Sequence, residues 1–468
     1  MALQEKNTGG RWKKADLGRF TSTQVIAVSF LAAILLGALL LMLPFATAAG
    51  EETSFLTALF TSTTSICVTG LVVVDTFSHW TLFGKIIILL LIQIGGFGVL
   101  TIFATFLISM KKRISLRERS MIQDYYNQDS GQGMVRFLLQ VVKGTFFVEG
   151  VGALLYMFSF IPEYGPVKGI WFSIFTSVSA FCNAGIDIFG PNSLIPYQTD
   201  LWINLVTMLM IVMGGLGYVV WFDVMLKNRM RKERNLSWKN TLRRLSEHSK
   251  LVISLTIVLI LSGAALVLLF EYHNPETIGN MSLGDKILAS LFQSVTFRTA
   301  GFATVPQAGL TDNTCLVGLI YMFIGGSPVG TAGGVKTVTL FMLVLNTVSF
   351  IRDRDEAVIF KRKITQKMIN KATAVVMVSL TITLICTVAL LQTNDVPLVS
   401  ALYEVFSATG TVGLSRDLTS SLNAAGKLII IFAMYAGRIG PISMAVFFNG
   451  KKSPKNKVGF VEGKFIVG

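Results

Sequence analysis

Apolar residues gather in long runs along this chain rather than in the narrow stripes of soluble amphipathic helices. A hydrocarbon core about 30 Å thick needs about 20 apolar helical residues. Eight stretches meet that length, at approximately 24–44, 82–110, 136–161, 202–226, 250–271, 314–350, 371–392 and 426–448, the sixth interrupted by glycine and proline. The first follows a basic arm and precedes Ala46-Thr47-Ala48, as a cleavable leader would. Its apolar run from Val25 to Leu43 is 19 residues, longer than the roughly 7–15 of a leader core. It is therefore expected to stay as a transmembrane helix.

Each successive pair of runs encloses a shorter apolar stretch followed by a glycine. Aligned on that glycine, the four copies read TSTTSICVTGL (61–71), TSVSAFCNAGI (176–186), FQSVTFRTAGF (292–302) and EVFSATGTVGL (404–414). Gly70, Gly185, Gly301 and Gly413 stand 115, 116 and 112 residues apart, so one unit is repeated four times. The short helices are predicted over 54–65, 169–180, 285–297 and 397–408. About 12 residues at about 1.5 Å each reach only about 18 Å, so these helices enter the bilayer and stop halfway. Irregular backbone at that depth is tolerated only where protein buries it or where it lines a watery cavity.

Direction supplies the chemistry. Each short helix starts outside and points its C-terminal end, with its partial negative charge, inward. Four such ends around one axis favour a cation, and the loops beyond them can offer backbone carbonyls in place of hydrating water. Glycine permits the close approach and positive φ this needs. The expected ion-lining backbone is Val68, Thr69 and Gly70; Asn183, Ala184 and Gly185; Thr299, Ala300 and Gly301; and Thr411, Val412 and Gly413. No carboxylate stands at the glycine position, which disfavours a divalent ion and leaves a weakly hydrated monovalent cation.

Charge sets orientation. Of the 41 Lys and Arg, 32 fall in the N-terminal arm, in 111–136, 227–250 and 352–371, and in the tail 451–464, while the intervening loops hold few cations and many acids. This places both termini and the three basic loops in the cytoplasm. The net charge of +15 is then topology and not a sign of nucleic-acid binding. Only 14% of residues are charged and 52% are apolar, which excludes a soluble enzyme, a disordered chain and a small secreted scaffold. Cys67, Cys182, Cys315 and Cys386 form no C-x-x-C pair and suggest neither zinc nor disulfides. Cys67 and Cys182 read as small buried side chains. A membrane enzyme would need paired catalytic groups at depth, and His79, His248 and His273 all lie near loops.

Eight spans, four pore loops and one glycine per loop resemble the Ktr/Trk/HKT superfamily of potassium transporters, and within it the KtrB-type membrane subunit. The resemblance covers about residues 20–468. It implies an all-α polytopic membrane protein with eight transmembrane and four re-entrant pore helices, pseudo-fourfold around one pore. It further implies potassium uptake, a homodimer, and a cytosolic KtrA-type ring of nucleotide-binding subunits. Glycine in all four loops fits the potassium-selective pattern. The loops lack the TVGYG run of tetrameric potassium channels, which leaves a less selective sodium/potassium pathway open.

Further features stand beside these loops. Gly325, Gly326, Ser327, Pro328, Val329, Gly330, Thr331, Ala332, Gly333 and Gly334 should break the sixth span, either as a kinked packing segment or as an unwound loop across the pore. The resemblance implies a gate there, with Lys336 and Arg438 beside it. Arg438 at membrane depth faces a cavity or snorkels to the cytoplasmic face. The matching sites Gly95 to Gly98 and Gly214 to Gly217 are expected to be far less broken. Arg298 is expected to pair behind the filter with Glu404, and Asn183 to brace its loop. Asp75 and Asp187 read as solvated loop charge, with field focusing as the alternative.

The expected organisation is an arm over 1–23, repeat 1 over 24–110, a loop over 111–135 and repeat 2 over 136–227. A loop over 228–249, repeat 3 over 250–350 with its intramembrane loop 325–334, and a loop over 351–370 follow. Repeat 4 over 371–448 and a tail over 449–468 complete it. No G-x-x-x-x-G-K-[ST] occurs, so any nucleotide must act through a partner that meets the basic loops 111–135 and 228–249. The apolar end of the tail suggests docking at a dimer interface. A multi-pass position in a plasma membrane, such as a bacterial inner membrane, is expected.

Overall fold

The computed structural model describes residues 22–110, 134–235, 237–354 and 356–440. The N-terminal arm, most of the first basic loop, the end of the last run and the tail lie outside the described residues. What is described is mostly helical, with one two-stranded hairpin, β1 (Val358–Ile359) antiparallel to β2 (Arg362–Lys363).

Repeat 1 comprises α1 (Ser22–Leu41), the short α2 (Phe55–Cys67), one turn α3 (Thr76–His79), α4 (Leu82–Phe97) and α5 (Val99–Ser109). Repeat 2 comprises α6 (Met134–Tyr164), the short α7 (Pro166–Cys182), α8 (Leu201–Leu216) and α9 (Tyr218–Glu233), and α10 (Trp238–Arg243) follows. Repeat 3 comprises α11 (Glu247–Glu271), the short α12 (Leu283–Thr296), α13 (Asp312–Phe323) and α14 (Thr337–Ile351). Repeat 4 comprises α15 (Gln366–Thr393), the short α16 (Leu398–Gly410) and α17 (Ala424–Ile439).

Among the described residues, four unbroken helices are long and apolar enough to cross a bilayer: α1, α6, α11 and α15. Each is the first long helix of its repeat. Among the described residues the second long helices of repeats 1, 2 and 3 are broken, and α17 ends at Gly440, the last residue described. Gly98, Gly217 and Gly440 have φ of 80°, 88° and 93°, a region where a side chain is costly. At Gly217 the bend between α8 and α9 is 97°. The break is one residue, so 214–217 is less unwound than 325–334, as expected, but the bend it makes is sharp. The bend is held by the indole Nε1 of Trp221 donating to Met213 O at 3.0 Å. The second short helix is also longer than expected, 17 residues, because Pro166 starts it directly after Gly165, whose φ of 79° turns the chain out of α6.

The starts of the second long helices share one chemistry. The side chains of Thr81, Asp200, Thr311 and Asn423 cap them by accepting from the backbone N–H three residues on. That satisfies orphan donors of the first turn.

The short helices are fastened to the first long helices by a repeated joint. Ser62 donates to Ile34 O (2.6 Å), Ser177 to Glu149 O (2.6 Å) and Ser294 to Ile260 O (2.8 Å). Opposite each hydroxyl stands a glycine three residues on: Gly37, Gly152 and Gly263. A methyl there would lie 2.4, 2.5 and 2.3 Å from that serine oxygen. In repeat 4, Thr383 donates to Thr409 Oγ1 at 3.0 Å instead. Small residues that let backbones approach are what membrane helices use for packing.

Ser177→Ala should lower stability by about 1 kcal/mol, the usual net value of one hydrogen bond. Gly152→Leu should cost about 1–3 kcal/mol through overpacking, because Met210 as well as Ser177 blocks the added side chain. Thermal unfolding in detergent measures both, and wild-type midpoints in the two variants would show that the joint carries no stability.

Candidate functional site

The four short helices end in the same way. Val68, Asn183, Thr299 and Thr411 adopt left-handed conformations with φ of 55°, 58°, 69° and 52°, and two residues later Gly70, Gly185, Gly301 and Gly413 have φ of 101°, 62°, 84° and 97°. The residues between them turn their N–H groups back to their own helix: Thr69 to Thr64 O, Ala184 to Ser179 O, Ala300 to Thr296 O and Val412 to Ser407 O, at 2.8–3.1 Å. Hydroxyls extend the pattern. Thr64 Oγ1 and Ser407 Oγ accept from Gly70 N and Gly413 N at 3.0 Å, while Ser179 and Thr296 donate to Ile186 O and Phe302 O at 2.6 Å. With the N–H groups engaged outward, the carbonyls of these loops are the polar groups left for the axis.

The loops meet in a closed ring. A methyl placed on Gly70 would lie 2.6 Å from Ala184 O, on Gly185 2.6 Å from Ala300 O, on Gly301 2.6 Å from Val412 O, and on Gly413 2.2 Å from Thr69 O. Each glycine thus abuts the carbonyl before the next repeat's glycine, and the fourth returns to the first. All twelve expected loop residues sit here, and eleven of them are buried, Gly413 partly so. Asn183 braces its loop: with its amide nitrogen facing carbonyls, it donates to Ala180 O, Phe181 O and Ile211 O at 3.2–3.3 Å.

Outside the ring is a cavity of about 660 Å³, lined by the four glycines together with Asp75, Asp187 and Asp417. Asp75 is occupied in capping α3, accepting from Phe77 N, Ser78 N and Ser78 Oγ. Asp187 sits deeper, beside Ser193 and Phe189 N. Burial pushes its carboxyl up, hydrogen bonds from Ser193 and Phe189 N pull it down, and nearby Asp75 raises it, to about 6 in all.

Inside the ring, the segment between α13 and α14 is unwound, as its glycines foretell. Ile324 and Val335 bridge its two ends. Its N–H groups bond to the broken helix of repeat 2: Ser327 to Gly215 O at 3.0 Å and Thr331 to Gly214 O at 3.2 Å. Val329 O accepts from Tyr218 N at 3.0 Å. The Thr331 hydroxyl reaches Phe181 O at 3.0 Å. Gly333 lies so close to Thr411 that a methyl would fall 1.9 Å from its hydroxyl. Gly325, Gly326, Gly330 and Gly334 pack backbone against backbone in the same segment. The segment therefore sits directly beneath the ring.

Two cations hold it. Lys336 Nζ donates to Ala332 O at 2.5 Å. Arg438 Nη1 donates to Thr331 O at 2.6 Å and its Nη2 to Gly95 O, so one guanidinium ties the repeat 3 loop and the broken helix of repeat 1 to repeat 4. Arg438 is half-buried and does not snorkel away.

The pairing expected of Arg298 with Glu404 is absent. Glu404 accepts instead from Ser415 and Thr419 within its own repeat. Arg298 falls in the two residues, 297 and 298, that in repeat 3 alone separate the end of the short helix at Thr296 from its left-handed residue Thr299. Its side chain borders a small space with Asn183, Thr256 and Gly326. Sequence reasoning also passed over Glu149. This buried carboxylate in α6 accepts from Gln93 Nε2 at 3.1 and 3.2 Å and lies 3.7 Å from Cys182 Sγ. Acids are rare in spans, and that rarity was the available signal.

A backbone ring at the meeting point of four loops, with an unwound segment packed against it, suits a cation transporter. The chain belongs to the TrkH family, described as cation transport proteins, whose model matches residues 10–458. It is 37% identical over 450 residues to Ktr system potassium uptake protein B of Bacillus subtilis, covering 96% of this chain and 97% of that one. It is 36% identical to potassium/sodium uptake protein NtpJ of Enterococcus hirae, over 92% and 93% of the two chains. The crystal structure of the potassium transporter TrkH from Vibrio parahaemolyticus superposes with a TM-score of 0.69 at 17% identity, covering 93% of this chain and 86% of that one. That likeness speaks for the fold alone.

Asp187 is ionised above about pH 6 and neutral below it. Lowering the outer pH through 6 should therefore reduce cation entry, by no more than about tenfold, the low end of steering effects. Asp187→Asn should flatten this profile. An unchanged midpoint in that variant would assign the titration to another group.

Proposed function

We propose that the chain is a potassium uptake pathway, the ion-translocating subunit of a Ktr-type system. The carrying observation is the cyclic contact of Gly70, Gly185, Gly301 and Gly413 with one another's preceding carbonyls. It supports a filter in which main-chain oxygens replace the hydration of a monovalent cation. In this reading each repeat contributes a first span, a re-entrant pore helix, a filter loop and a broken second span. That gives eight spans and four pore helices in the domain boundaries expected from the sequence. Both termini face the cytoplasm, and the membrane is a bacterial inner membrane. The 324–336 loop with Lys336 and Arg438 is the gate. A homodimer of such subunits, with the apolar end of the tail at the dimer interface, meets a cytosolic nucleotide-binding ring through its basic loops.

A less selective sodium/potassium pathway is the second reading. It is favoured by the shared length and identity with the potassium/sodium protein above and by the absence of the longer channel filter sequence.

Purified protein in vesicles tests both. Rubidium uptake that outruns sodium supports the first reading, equal uptake supports the second, and no uptake of either rejects both. Gly70→Ser should lower the rubidium-to-sodium ratio about tenfold, the equivalent of about 1.4 kcal/mol in relative ion binding, because a side chain there collides with Ala184 O. A ratio left at the wild-type value would remove Gly70 from the filter. Arg438→Ala, which frees Thr331 and Gly95 at once, should raise flux several-fold. Unaltered flux would mean that the gate is held elsewhere.

A further inference from the structure

The 97° bend at Gly217 has a consequence on the cytoplasmic side. The fourth expected span does not continue into solvent as a rod. It turns, and α9 runs across the first turns of α11. Its Asp223 Oδ2 accepts from Ser246 N at 2.8 Å, and its buried Val220 packs with Leu251, Val252 and Val338. The 25-residue α11 is itself long enough to cross the bilayer. Its N-terminal end therefore marks the cytoplasmic membrane surface, and α9 with α10 lies at that level.

What this segment exposes is unusual for a solvated loop. Val224, Met225 and Leu226 are 41–55% exposed, and Trp238 and Leu242 are 60% and 57% exposed, four residues apart on α10. These apolar groups are interleaved with nine cations between Lys227 and Lys250, against three acids from Asp223 to Glu247. Among the described residues only Arg229 of the nine forms an ion pair, with Glu233. The Arg231 guanidinium stacks 3.9 Å over the Trp238 ring. Exposed tryptophan and aliphatic side chains among unpaired basic ones are what an interfacial helix offers to anionic lipid.

We propose that the α9–α10 segment docks on the anionic phospholipid surface of the cytoplasmic leaflet, and that this docking restrains the gate. Headgroup phosphates meet Lys232, Arg234, Lys239, Arg243 and Arg244, while Trp238 and Leu242 enter the acyl boundary. The restraint passes through covalent chain: Tyr218, the first residue of α9, donates to Val329 O, and Gly214 and Gly215 just before the bend accept from Thr331 and Ser327. A membrane that holds α9 flat holds three hydrogen bonds of the loop in place. This second step rests on reading the 324–336 loop as the gate. The first does not. The basic segment 228–249 is thereby assigned to lipid and not to the cytosolic ring.

The test uses the full chain in vesicles of phosphatidylcholine and in equimolar phosphatidylcholine and phosphatidylglycerol. Brominated lipids report contact with Trp238, as the difference between wild type and Trp238→Phe. Brominated phosphatidylglycerol should quench that component more than brominated phosphatidylcholine does, and about 1 M salt should abolish the preference, since charges are then screened within about 3 Å. Arg243→Gln and Arg244→Gln, both at exposed positions, should each weaken the preference by on the order of fivefold. Rubidium flux without the partner should be lower in phosphatidylglycerol vesicles, and the double variant should erase that difference. Equal quenching by the two brominated lipids overturns the docking. Preferential quenching with lipid-independent flux overturns the restraint. An intact lipid preference in the double variant, with loss of binding to the nucleotide-binding ring, would make the segment a protein surface and overturn the proposal. Absence of flux in every vesicle would sink the pathway reading, while the quenching comparison still decides the docking.

Discussion

Four stretches of backbone come within van der Waals contact of one another around one axis, nearly all of their residues buried. That contact governs the rest of the structure. A peptide exposed in hydrocarbon leaves groups that each cost several kcal/mol. The chain meets the demand by division. The N–H groups of Thr69, Ala184, Ala300 and Val412 bond backward to their own helices, so the carbonyl side is free for a cation. This division needs a left-handed residue followed two positions later by a glycine, and all four loops have that pair. Alanine at any of the four glycines would set a methyl against a neighbouring carbonyl. The same residue type thus serves geometry and chemistry together.

The plug beneath the ring obeys the same accounting with different partners. Residues 324–336 have no helix to bond to, so their polar groups reach across repeat boundaries. Repeat 2 supplies the carbonyls of Gly214, Gly215 and Phe181, and Lys336 and Arg438 supply donors for Ala332 and Thr331. A loop held mainly by hydrogen bonds and packed with small residues has no large apolar side chains to lock it. Arg438 brings a full charge below the ring while its donors are spent on carbonyls, so its electrostatic effect and its tether act on the same segment.

Much of this was legible from residue order. The runs of apolar residues marked the long helices, and the near-constant glycine spacing marked the ring, because both are enforced at every repeat. The unwinding of 325–334 was legible because ten residues with five glycines and a proline cannot hold a helix. The bend at Gly217 was not legible, since Gly214 to Gly217 look like Gly95 to Gly98, and only the contact with Val329 and the Trp221 bond to Met213 distinguish them. Opposite charge invited a pairing of Arg298 with Glu404, although they stand three and nine residues before their glycines. Glu404 instead has hydroxyl partners in Ser415 and Thr419 of its own repeat. Glu149 was passed over because its partner Gln93 comes from another repeat.

The departures from fourfold regularity are not scattered. Repeat 3 carries the early end of its short helix at Thr296 and the unwound segment. Repeat 2 carries the sharp bend. The two meet where Tyr218 donates to Val329 and where Gly326 faces Gly215. Repeat 1 breaks its second long helix at Gly98 alone, and Arg438 reaches from repeat 4 to both Gly95 and the loop. A filter depends on equivalence, since four loops must present matched oxygens to one ion. A control element depends on inequivalence, since one element must move against others that stay. This chain separates the two in space. Its symmetry is tightest at the four glycines, and its asymmetry is concentrated at the seam between repeats 2 and 3, where the unwound segment meets the bend at Gly217.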